Sequence, residues 1–300
     1  MWKSVTRRLA RWTANVPKKG RQGSPLDGQR LVFVGGAPRS GTTLLQHILD
    51  SHSEVFGGPE FDHIPTLMEA RRSVIATFDG GRIGAFCKRE QIDAAFATLI
   101  QNLLLPAADA CGARLLSEKT PFNVLFFSDL LELFACCRAV HIVRDPRAVI
   151  ASLLNVGKRA RAKNETSPPW TQHVGYAIDL IKPSLKRGFQ AQQQYPDRVL
   201  TLTYEALVAQ PEPILRKLCA FLGIVFYPSM LNPHSQKHPD QDKILRLDNG
   251  TWVDPNLGIR VIETSRIHAW QKMLSNEQIA SINGEFRDHT DLLVLGYAFA

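Results

Sequence analysis

The chain has 300 residues, of which 44% are apolar, and carries a formal net charge of +8. This length and composition suit one sizeable hydrophobic core, so a single α/β domain with insertions is the simplest organisation. No apolar run is long enough to span a bilayer, and no signal-peptide core follows the first residues. We therefore expect a soluble protein. The five cysteines are odd in number and scattered and include no CxxC pair, which predicts a reducing, cytoplasmic compartment and no metal site.

Most of the positive charge lies in the first thirty residues. Residues 1–30 contain eight lysines and arginines against one acidic residue, and the rest of the chain is nearly neutral. A neutral remainder argues against a nucleic-acid-binding fold. Apolar residues recur at helical spacing in residues 1–16, so this segment is either a basic amphipathic helix in peripheral contact with an anionic membrane surface, a helix packed on the domain, or a partly disordered arm. We therefore divide the chain into an amino-terminal arm with its linker, 1–29, and a domain, 30–300.

A strand, a glycine-containing loop and a helix follow one another after residue 30. The apolar run Leu31–Val34 predicts a buried strand, and the glycines and proline after it end that strand. Leucine and isoleucine then recur with i, i+4 spacing from Leu44 to Leu49, which predicts a helix. Because loop amides and a helix N-terminus point at the same anion in this arrangement, the stretch predicts a phosphate-binding cradle.

The loop differs from the P-loop of nucleotide-binding proteins at one position. Gly36 and Gly41 have the P-loop separation and Thr43 fills its Ser/Thr position, but Thr42 replaces the lysine. That lysine reaches the β- and γ-phosphates of a nucleoside triphosphate, so ordinary ATP or GTP hydrolysis is disfavoured. A shorter 5′-phosphate group still fits the cradle, with Arg39 directed at whatever projects beyond it. The alternative is a plain glycine turn with a solvent-facing Arg39.

Positively charged residues lie at the ends of two later strands of the predicted sheet. Lys119 lies at the end of a short strand within residues 114–121, and Arg144 follows the apolar strand Ala139–Val143. An arginine fork binds phosphate oxygens in pairs, and Ser152 lies two turns into the next helix, where it can meet the same phosphate. A plain surface lysine at position 119 is the alternative.

The rest of the chain alternates helical stretches with a fourth strand, at 199–204. Helical periodicity covers the ranges 64–112, 122–134, 173–195, 211–222 and 276–287. Strands separated by helices predict a parallel sheet with helices on both faces. Residues 228–268 lack periodicity, and a segment of this length without regular structure is usually functional or disordered. Asp145 and Arg147 are expected to form a structural ion pair rather than to bind a ligand.

Two sequence blocks resemble motifs of the sulfotransferases that use 3′-phosphoadenosine 5′-phosphosulfate (PAPS). The first is similar to the 5′-phosphosulfate loop of these enzymes and consists of Pro38, Arg39, Ser40, Gly41, Thr42 and Thr43. The second, from Val140 to Ser152, is similar to their 3′-phosphate motif. Two blocks in this order, about a hundred residues apart, are a specific signal, and the closest likeness is to the tyrosylprotein sulfotransferases. The likeness extends from Leu31 to Trp270 and implies a P-loop-like fold.

The resemblance implies a role for several residues in holding PAPS. The loop residues 38–43 would bind the 5′-phosphosulfate, and Tyr204 would support the phosphate end of the cofactor. Arg144 and Ser152 would bind the 3′-phosphate. Residues 228–268 would cover bound PAPS. The candidate contacts in that segment are Arg246, Arg260 and Arg266.

The same resemblance assigns the chemistry to three side chains. Glu60 matches, counted from Arg39, the glutamate that acts as base in the tyrosylprotein enzymes. Lys119 is similar to the lysine beside the transferring group, where it and Arg39 would stabilise the negative charge that grows on the bridging oxygen. His52 and His63 are rival bases, and Glu60 could instead cap a helix or pair with an arginine.

The sequence thus predicts a PAPS-dependent sulfotransferase that moves a sulfuryl group to an acceptor hydroxyl and releases adenosine 3′,5′-bisphosphate, without a metal. Peptidyl tyrosine, carbohydrate, a lipid headgroup and a small phenol are all open as acceptors, and the oligomeric state is open as well. The rival functions are a P-loop-type nucleotide kinase or NTPase and a non-catalytic nucleotide-binding protein.

Overall fold

The computed structural model of the chain describes residues 27–239, 251 and 261–299. The predicted amino-terminal arm, apart from its last three positions, lies outside the described residues. So do residues 240–250 and 252–260 of the predicted covering loop, which include Arg246 and Arg260.

Five parallel strands form one sheet at the centre of the described structure. They are β1 Leu31–Gly35, β2 Val55–Gly57, β3 Leu115–Lys119, β4 Arg138–Val143 and β5 Val199–Thr203. Their order across the sheet is β2-β3-β1-β4-β5, and every neighbouring pair is parallel. All carboxyl ends therefore meet at one edge, which is where open α/β sheets bind their ligands.

The sequence predicted four of these strands and missed β2. This strand is three residues long and ends in glycine, so it is too short to show an alternating pattern. It pairs with β3 in parallel register, with Val55 opposite Leu115, and lies at the edge of the sheet. The turn after β2 brings residues 58–63 to the carboxyl edge of the sheet.

Helices connect the strands. They are α1 Thr42–Asp50, α2 Ile64–Asp79, α3 Arg89–Ala110, α4 Phe127–Leu133, α5 Pro146–Ala162, α6 Val174–Gln194, α7 Tyr204–Ala209, α8 Pro211–Leu222, α9 Asn276–Phe286 and α10 Thr290–Val294. A 3₁₀ helix, Pro121–Phe126, precedes α4. Within the described ranges, no helix combines the length and the apolar character needed to cross a membrane.

Alternation along β1 divides its side chains between two hydrophobic cores. Leu31 and Phe33 are buried in one core together with residues of α2, α3 and α4. Val32 and Val34 are buried in a second core together with residues of α1, α7 and α8. Because successive strand residues point to opposite faces, this division confirms the predicted parallel sheet with helices on both faces. A third core joins α5, α6 and α9.

Two predicted boundaries differ from the structure. Tyr204 begins α7 instead of ending β5, because the Thr203 side chain caps that helix by accepting a hydrogen bond from the Ala206 amide. The helix predicted over 122–134 starts as the 3₁₀ helix and becomes α-helical only from Phe127. The α-helix begins only there because Phe126, the residue before α4, has φ −125° and ψ 13°, outside the α-helical range.

Candidate functional site: the carboxyl edge of the sheet

The loop between β1 and α1 is fixed by close packing. Arg39 and Gly41 have positive φ angles of 74° and 105°, and Gly41 is the N-cap of α1. A Cβ atom added to Gly41 would lie 2.6 Å from Cδ2 of Tyr204, and one added to Gly36 would lie 2.3 Å from the carbonyl oxygen of Ile142. Both positions therefore require glycine. The first amides of α1, which have no carbonyl partner within the helix, are presented at the carboxyl edge of the sheet.

The other residues of the loop differ in exposure. Ser40 and Thr42 are buried, whereas Pro38 and Thr43 are partly exposed. The Ser40 hydroxyl has no hydrogen-bond partner among the described residues, and it lines a small cavity together with Arg144. A buried hydroxyl without a partner costs free energy, so a polar group within reach of the Ser40 hydroxyl would be favoured, whereas the rest of the cavity is lined mainly by apolar residues.

Arg144 projects from the end of β4 toward this loop. Its Nη1 donates to the carbonyl oxygen of Arg39 at 3.3 Å, and its Nη2 donates to that of Arg266 at 2.8 Å. The guanidinium carbon lies 4.1 Å from the centroid of the Tyr204 ring, and Nε is buried without a hydrogen-bond partner among the described residues. These contacts are all to neutral groups, so the positive charge of Arg144 stays available to an anion.

Arg39 meets Ser152 on the same side of the loop. Arg39 Nε donates to Ser152 Oγ at 3.1 Å, and Ser152 lies in the second turn of α5. The sequence placed Arg144 and Ser152 around one phosphate and Arg39 at the transferring group. The structure brings Arg39 to Ser152 and, through its carbonyl oxygen, to Arg144 as well.

Lys119 joins residues from three elements at the end of β3. Its side chain is 1% exposed and its Nζ forms an ion pair with the Glu60 carboxylate. The same Nζ donates to Thr43 Oγ1 at 3.3 Å. Glu60 lies on the turn after β2 and Thr43 lies in the first turn of α1, so three residues distant in sequence meet at one point. A buried ammonium group is stable only with such partners.

The two rival bases lie in different surroundings. His52 is buried, with Nε2 at 2.7 Å from the Val225 carbonyl oxygen, and its Nδ1 accepts from the Glu54 amide at 3.0 Å. Both ring nitrogens are thus occupied by the main chain. His63 is exposed immediately before α2 and packs edge-on against Phe61. Of the three predicted bases, Glu60 is the one in contact with Lys119.

The predicted pair of Asp145 and Arg147 is confirmed. Arg147 Nη2 lies 2.8 Å from Asp145 Oδ2, and the guanidinium carbon lies 4.4 Å from the centroid of the Trp270 ring. The Asp145 side chain also caps α5 by accepting from the Arg147 amide at 2.8 Å. Both residues therefore stabilise the turn between β4 and α5.

Sequence reasoning missed Glu118. This side chain is buried and accepts hydrogen bonds from the Phe61 amide at 3.2 Å, from the Thr120 hydroxyl at 2.7 Å and from the Asn123 side chain. Burial raises the pKa of the Glu118 carboxyl above its usual range, and these hydrogen bonds oppose the rise. The available signal was an acidic residue inside a short buried strand.

Glu205 was also missed. Its Oε1 accepts from the Asp145 amide at 3.0 Å, and its Oε2 accepts from the Tyr297 hydroxyl at 2.5 Å. Burial and the neighbouring Glu205 carboxylate raise the pKa of Tyr297. Glu205 thus ties the end of β4 to α7 and to the carboxyl-terminal segment, and its sequence position beside Tyr204 was the only hint.

A fixed glycine loop after the central strand, with cations at the ends of β3 and β4, defines a class of protein: an α/β protein with a P-loop-like fold that binds a phosphate-bearing ligand at the carboxyl edge. Comparison with known proteins specifies the family. Residues 32–228 match the model described as "Sulfotransferase family". The chain belongs to the sulfotransferase family, and sulfuryl transfer is the activity of that family.

Curated relatives are similar to the chain over two thirds of its length. It is 27% identical over 209 residues to a protein-tyrosine sulfotransferase of Drosophila melanogaster, which covers 67% of this chain and 40% of that protein. It is 29% identical over 212 residues to protein-tyrosine sulfotransferase 2 of Gallus gallus, which covers 67% of this chain and 53% of that protein. The chain therefore spans about half the length of these relatives or less.

Solved structures share the fold. A sulfotransferase domain from the curacin biosynthetic pathway has a TM-score of 0.57 and 21% identity, and the match covers 85% of this chain and 96% of that domain. A mouse sulfotransferase complexed with PAP has a TM-score of 0.50 and 14% identity, with 90% of this chain and 89% of that one covered. These similarities agree with the P-loop-like α/β fold.

Proposed function

We propose that this chain transfers a sulfuryl group from PAPS to an acceptor hydroxyl, with Glu60 as the base. The observation that carries the proposal is the contact of Lys119 with both Glu60 and Thr43 beside the phosphate-binding loop. A carboxylate that can accept a proton, a buried cation and a helix end that binds a 5′-phosphate are the parts that sulfuryl transfer needs. Membership of the sulfotransferase family supports the same reaction.

The residues around the loop suit PAPS. The loop residues 38–43 and the first amides of α1 would hold the 5′-phosphosulfate. Arg144 and Ser152 suit the 3′-phosphate, because an arginine fork binds two phosphate oxygens and the present contacts of Arg144 are to neutral groups. The Tyr204 ring packs on the Arg144 guanidinium and would keep it in place. The similarity to a mouse structure that contains PAP, adenosine 3′,5′-bisphosphate, supports this ligand class.

The proposed chemistry gives one role to each of three side chains. Glu60 takes the proton of the acceptor hydroxyl, whose oxygen bonds to sulfur as the bond between sulfur and the 5′-phosphate oxygen breaks. The electron pair of the broken bond stays on that phosphate oxygen, where Lys119 and Arg39 stabilise the added negative charge. The Glu60 side chain is 33% exposed, so its proton can return to solvent.

The acceptor is the open part of the proposal. Peptidyl tyrosine, carbohydrate, a lipid headgroup and a small phenol form the test panel, and the likeness to protein-tyrosine sulfotransferases puts peptidyl tyrosine first. We also propose that residues 228–268 cover PAPS, which the contact between Arg144 and the Arg266 carbonyl supports. A nucleotide kinase is disfavoured because Thr42 occupies the position of the P-loop lysine.

A transfer assay with Glu60→Gln tests the proposal. Glutamine keeps the size of the side chain but cannot take the proton, so we expect turnover to fall by about 10²- to 10⁴-fold. Affinity for adenosine 3′,5′-bisphosphate should stay within about twofold, because Glu60 faces the acceptor. Turnover is measured as transfer of labelled sulfate from PAPS across the acceptor panel. Magnesium-dependent ATP turnover by the wild-type chain, with no sulfuryl transfer, would contradict the proposal.

A matched control exists at the opposite end of the same strands. Glu54 pairs with Arg114 at 2.6 Å just before β2 and β3 begin, as Glu60 pairs with Lys119 after they end. Glu54→Gln makes the same chemical change at a glutamate of similar exposure, 35% against 33% for Glu60, and we expect turnover within about twofold of wild type. Equal losses in the two variants would show that Glu60 stabilises the fold and is not the base.

A further inference from the structure

The segment that carries Glu60 is held by α1 on one side. The Gly57 amide donates to Asp50 Oδ1 at 2.8 Å, and Gln46 Nε2 donates to the Gly58 carbonyl oxygen at 3.1 Å. Both partners belong to the helix that follows the phosphate-binding loop. The backbone of Gly57 and Gly58, which leads to Glu60, is therefore fixed relative to that loop.

The end of β3 holds the same segment on the other side. The Phe61 amide donates to Glu118 Oε1 at 3.2 Å, and the Asp62 amide donates to Thr120 Oγ1 at 3.1 Å. The Thr120 hydroxyl in turn donates to Glu118 Oε1 at 2.7 Å. The buried Glu118 carboxylate therefore holds both N–H groups that follow Glu60. It binds the Phe61 amide directly and the Asp62 amide through the Thr120 hydroxyl.

This turn needs support because its backbone is unusual. Asp62 has φ 61°, a left-handed conformation that costs free energy for a residue with a side chain. A buried carboxyl group is also a costly way to satisfy two amides, since burial disfavours its charged form. The left-handed backbone of Asp62 and the buried Glu118 carboxyl group both occur where the chain turns immediately after Glu60.

Consecutive residues of β3 hold Glu60 from two directions. Glu118 and Lys119 leave opposite faces of the strand, as neighbouring strand residues do. Lys119 contacts the carboxylate of Glu60, whereas Glu118 contacts the main chain directly after it. The side chain of Glu60 and the backbone that follows it are therefore both tied to one short strand.

We infer that Glu118 is a positioning residue, which holds the main chain after Glu60 so that the Glu60 carboxylate stays beside Lys119. The inference rests on the proposed role of Glu60 as the base. Glu118 acts through the Phe61 amide and through Thr120, not on the reacting atoms. A displacement of a reacting group by about 1 Å can lower turnover by about 10²-fold, so such positioning has a measurable effect.

Two substitutions of similar length test this role. Glu118→Met removes the acceptor, whereas Glu118→Gln keeps one carbonyl oxygen for the Phe61 amide and the Thr120 hydroxyl. The new amide nitrogen faces Asn123, whose Oδ1 has no hydrogen-bond partner among the described residues and can accept from it once that side chain rotates. We expect Glu118→Met to lower kcat by about 10- to 100-fold and Glu118→Gln to restore most of that loss. Affinity for adenosine 3′,5′-bisphosphate should stay within about twofold in both variants. Equal losses of kcat in the two variants, or a loss of affinity as large as the loss of kcat, would overturn the inference.

A double-mutant cycle separates positioning from general stabilisation. If Glu118 acts through Glu60, then Glu118→Met should lower the residual turnover of Glu60→Gln by less than about twofold. A purely structural role would lower turnover by the same factor in both backgrounds, and that result would overturn the inference.

Hydrogen exchange gives a readout that does not depend on activity. The amides of Phe61 and Asp62 should exchange faster in Glu118→Met, while those of α1 keep their wild-type rates. Asp129→Asn, which loses an ion pair with Arg72 in α2, controls for a general loss of stability and should leave residues 58–63 unchanged. Unchanged exchange in Glu118→Met would overturn the inference. Absence of sulfuryl transfer in the wild-type chain would instead overturn the proposed function, and exchange would still show whether Glu118 holds this segment.

Discussion

The ends of β3 and β4 each carry one cation, but the two cations are held in opposite ways. Lys119 is buried and paired with the Glu60 carboxylate, whereas Arg144 contacts two carbonyl oxygens and an aromatic ring. A cation paired with an acid presents a proton acceptor and a positive charge together, while a cation whose direct contacts are neutral groups can still form an ion pair with an anion. This difference agrees with the proposed function, which assigns the chemistry to the end of β3 and the binding of phosphate to the end of β4.

At both strand ends, a carboxylate accepts a hydrogen bond from a main-chain amide; the Glu118 carboxylate is buried and the Glu205 carboxylate is partly buried. Glu118 accepts from the Phe61 amide beside the end of β3, and Glu205 accepts from the Asp145 amide at the end of β4. In both places the acid fixes the backbone next to a side chain to which the proposed function gives a role. The functional cations differ in their partners, but the turns around them are stabilised in the same way.

The largest effect that would test this division is expected from Lys119→Met. Loss of the cation beside the transferring group should lower turnover by about 10²- to 10³-fold, because the charge on the leaving oxygen is no longer stabilised. Affinity for adenosine 3′,5′-bisphosphate should fall by much less, and calorimetry measures this. Lys182→Met removes a surface lysine that pairs with Glu285, and this control should keep turnover. An affinity loss in Lys119→Met as large as its turnover loss would contradict the division between the two ends.

Arg144→Ala should show the converse pattern. Charge-assisted hydrogen bonds contribute about 1.5–3 kcal/mol, so we expect affinity for adenosine 3′,5′-bisphosphate to fall by about 10- to 100-fold. Turnover at saturating PAPS should fall less than affinity does. Arg114→Ala removes an arginine from the opposite end of β3 and should leave affinity unchanged. Unchanged affinity in Arg144→Ala would show that Arg144 does not bind the 3′-phosphate.

The smallest expected effect comes from His141, which lies within β4, and concerns only the free energy of unfolding. Burial lowers the pKa of His141 to about 3, so between that value and its ordinary pKa near 6.5 the unfolded chain binds a proton that the folded chain excludes. Stability should therefore fall as pH falls below about 6.5, with this group contributing up to about 1.4 kcal/mol per pH unit. His141→Leu should flatten that dependence in urea unfolding between pH 7 and 5. An unchanged slope would mean that other groups govern it.

Much of the site was predictable because its residues lie at the carboxyl ends of strands that the sequence pattern indicates. Parallel strands bring their carboxyl ends to one edge, so residues that end strands in the sequence, such as Lys119 and Arg144, had to lie near the loop after β1. The paired glycines of the loop, Gly36 and Gly41, were equally readable from their spacing. The functional roles of these residues are still proposals, but their meeting place followed from the pattern.

The parts that escaped prediction depend on contacts between distant segments of the main chain. β2 has three residues, and its pairing with β3, not its own pattern, makes it a strand. Glu118 and Glu205 bind amides that lie 57 and 60 residues away, and no local spacing reports such a contact. The contact of Arg39 with Ser152 likewise spans 113 residues and depends on how the loop is folded.

The central claim is that binding and chemistry are divided between the ends of β4 and β3. Its most direct test is calorimetric titration of the wild-type chain, Arg144→Ala and Lys119→Met with adenosine 3′,5′-bisphosphate, with ATP and magnesium titrated in parallel. We expect the bisphosphate to bind the wild-type chain and Lys119→Met more tightly than Arg144→Ala. Binding of ATP with magnesium but not of the bisphosphate, or equal bisphosphate affinity in the wild-type chain and Arg144→Ala, would contradict the account.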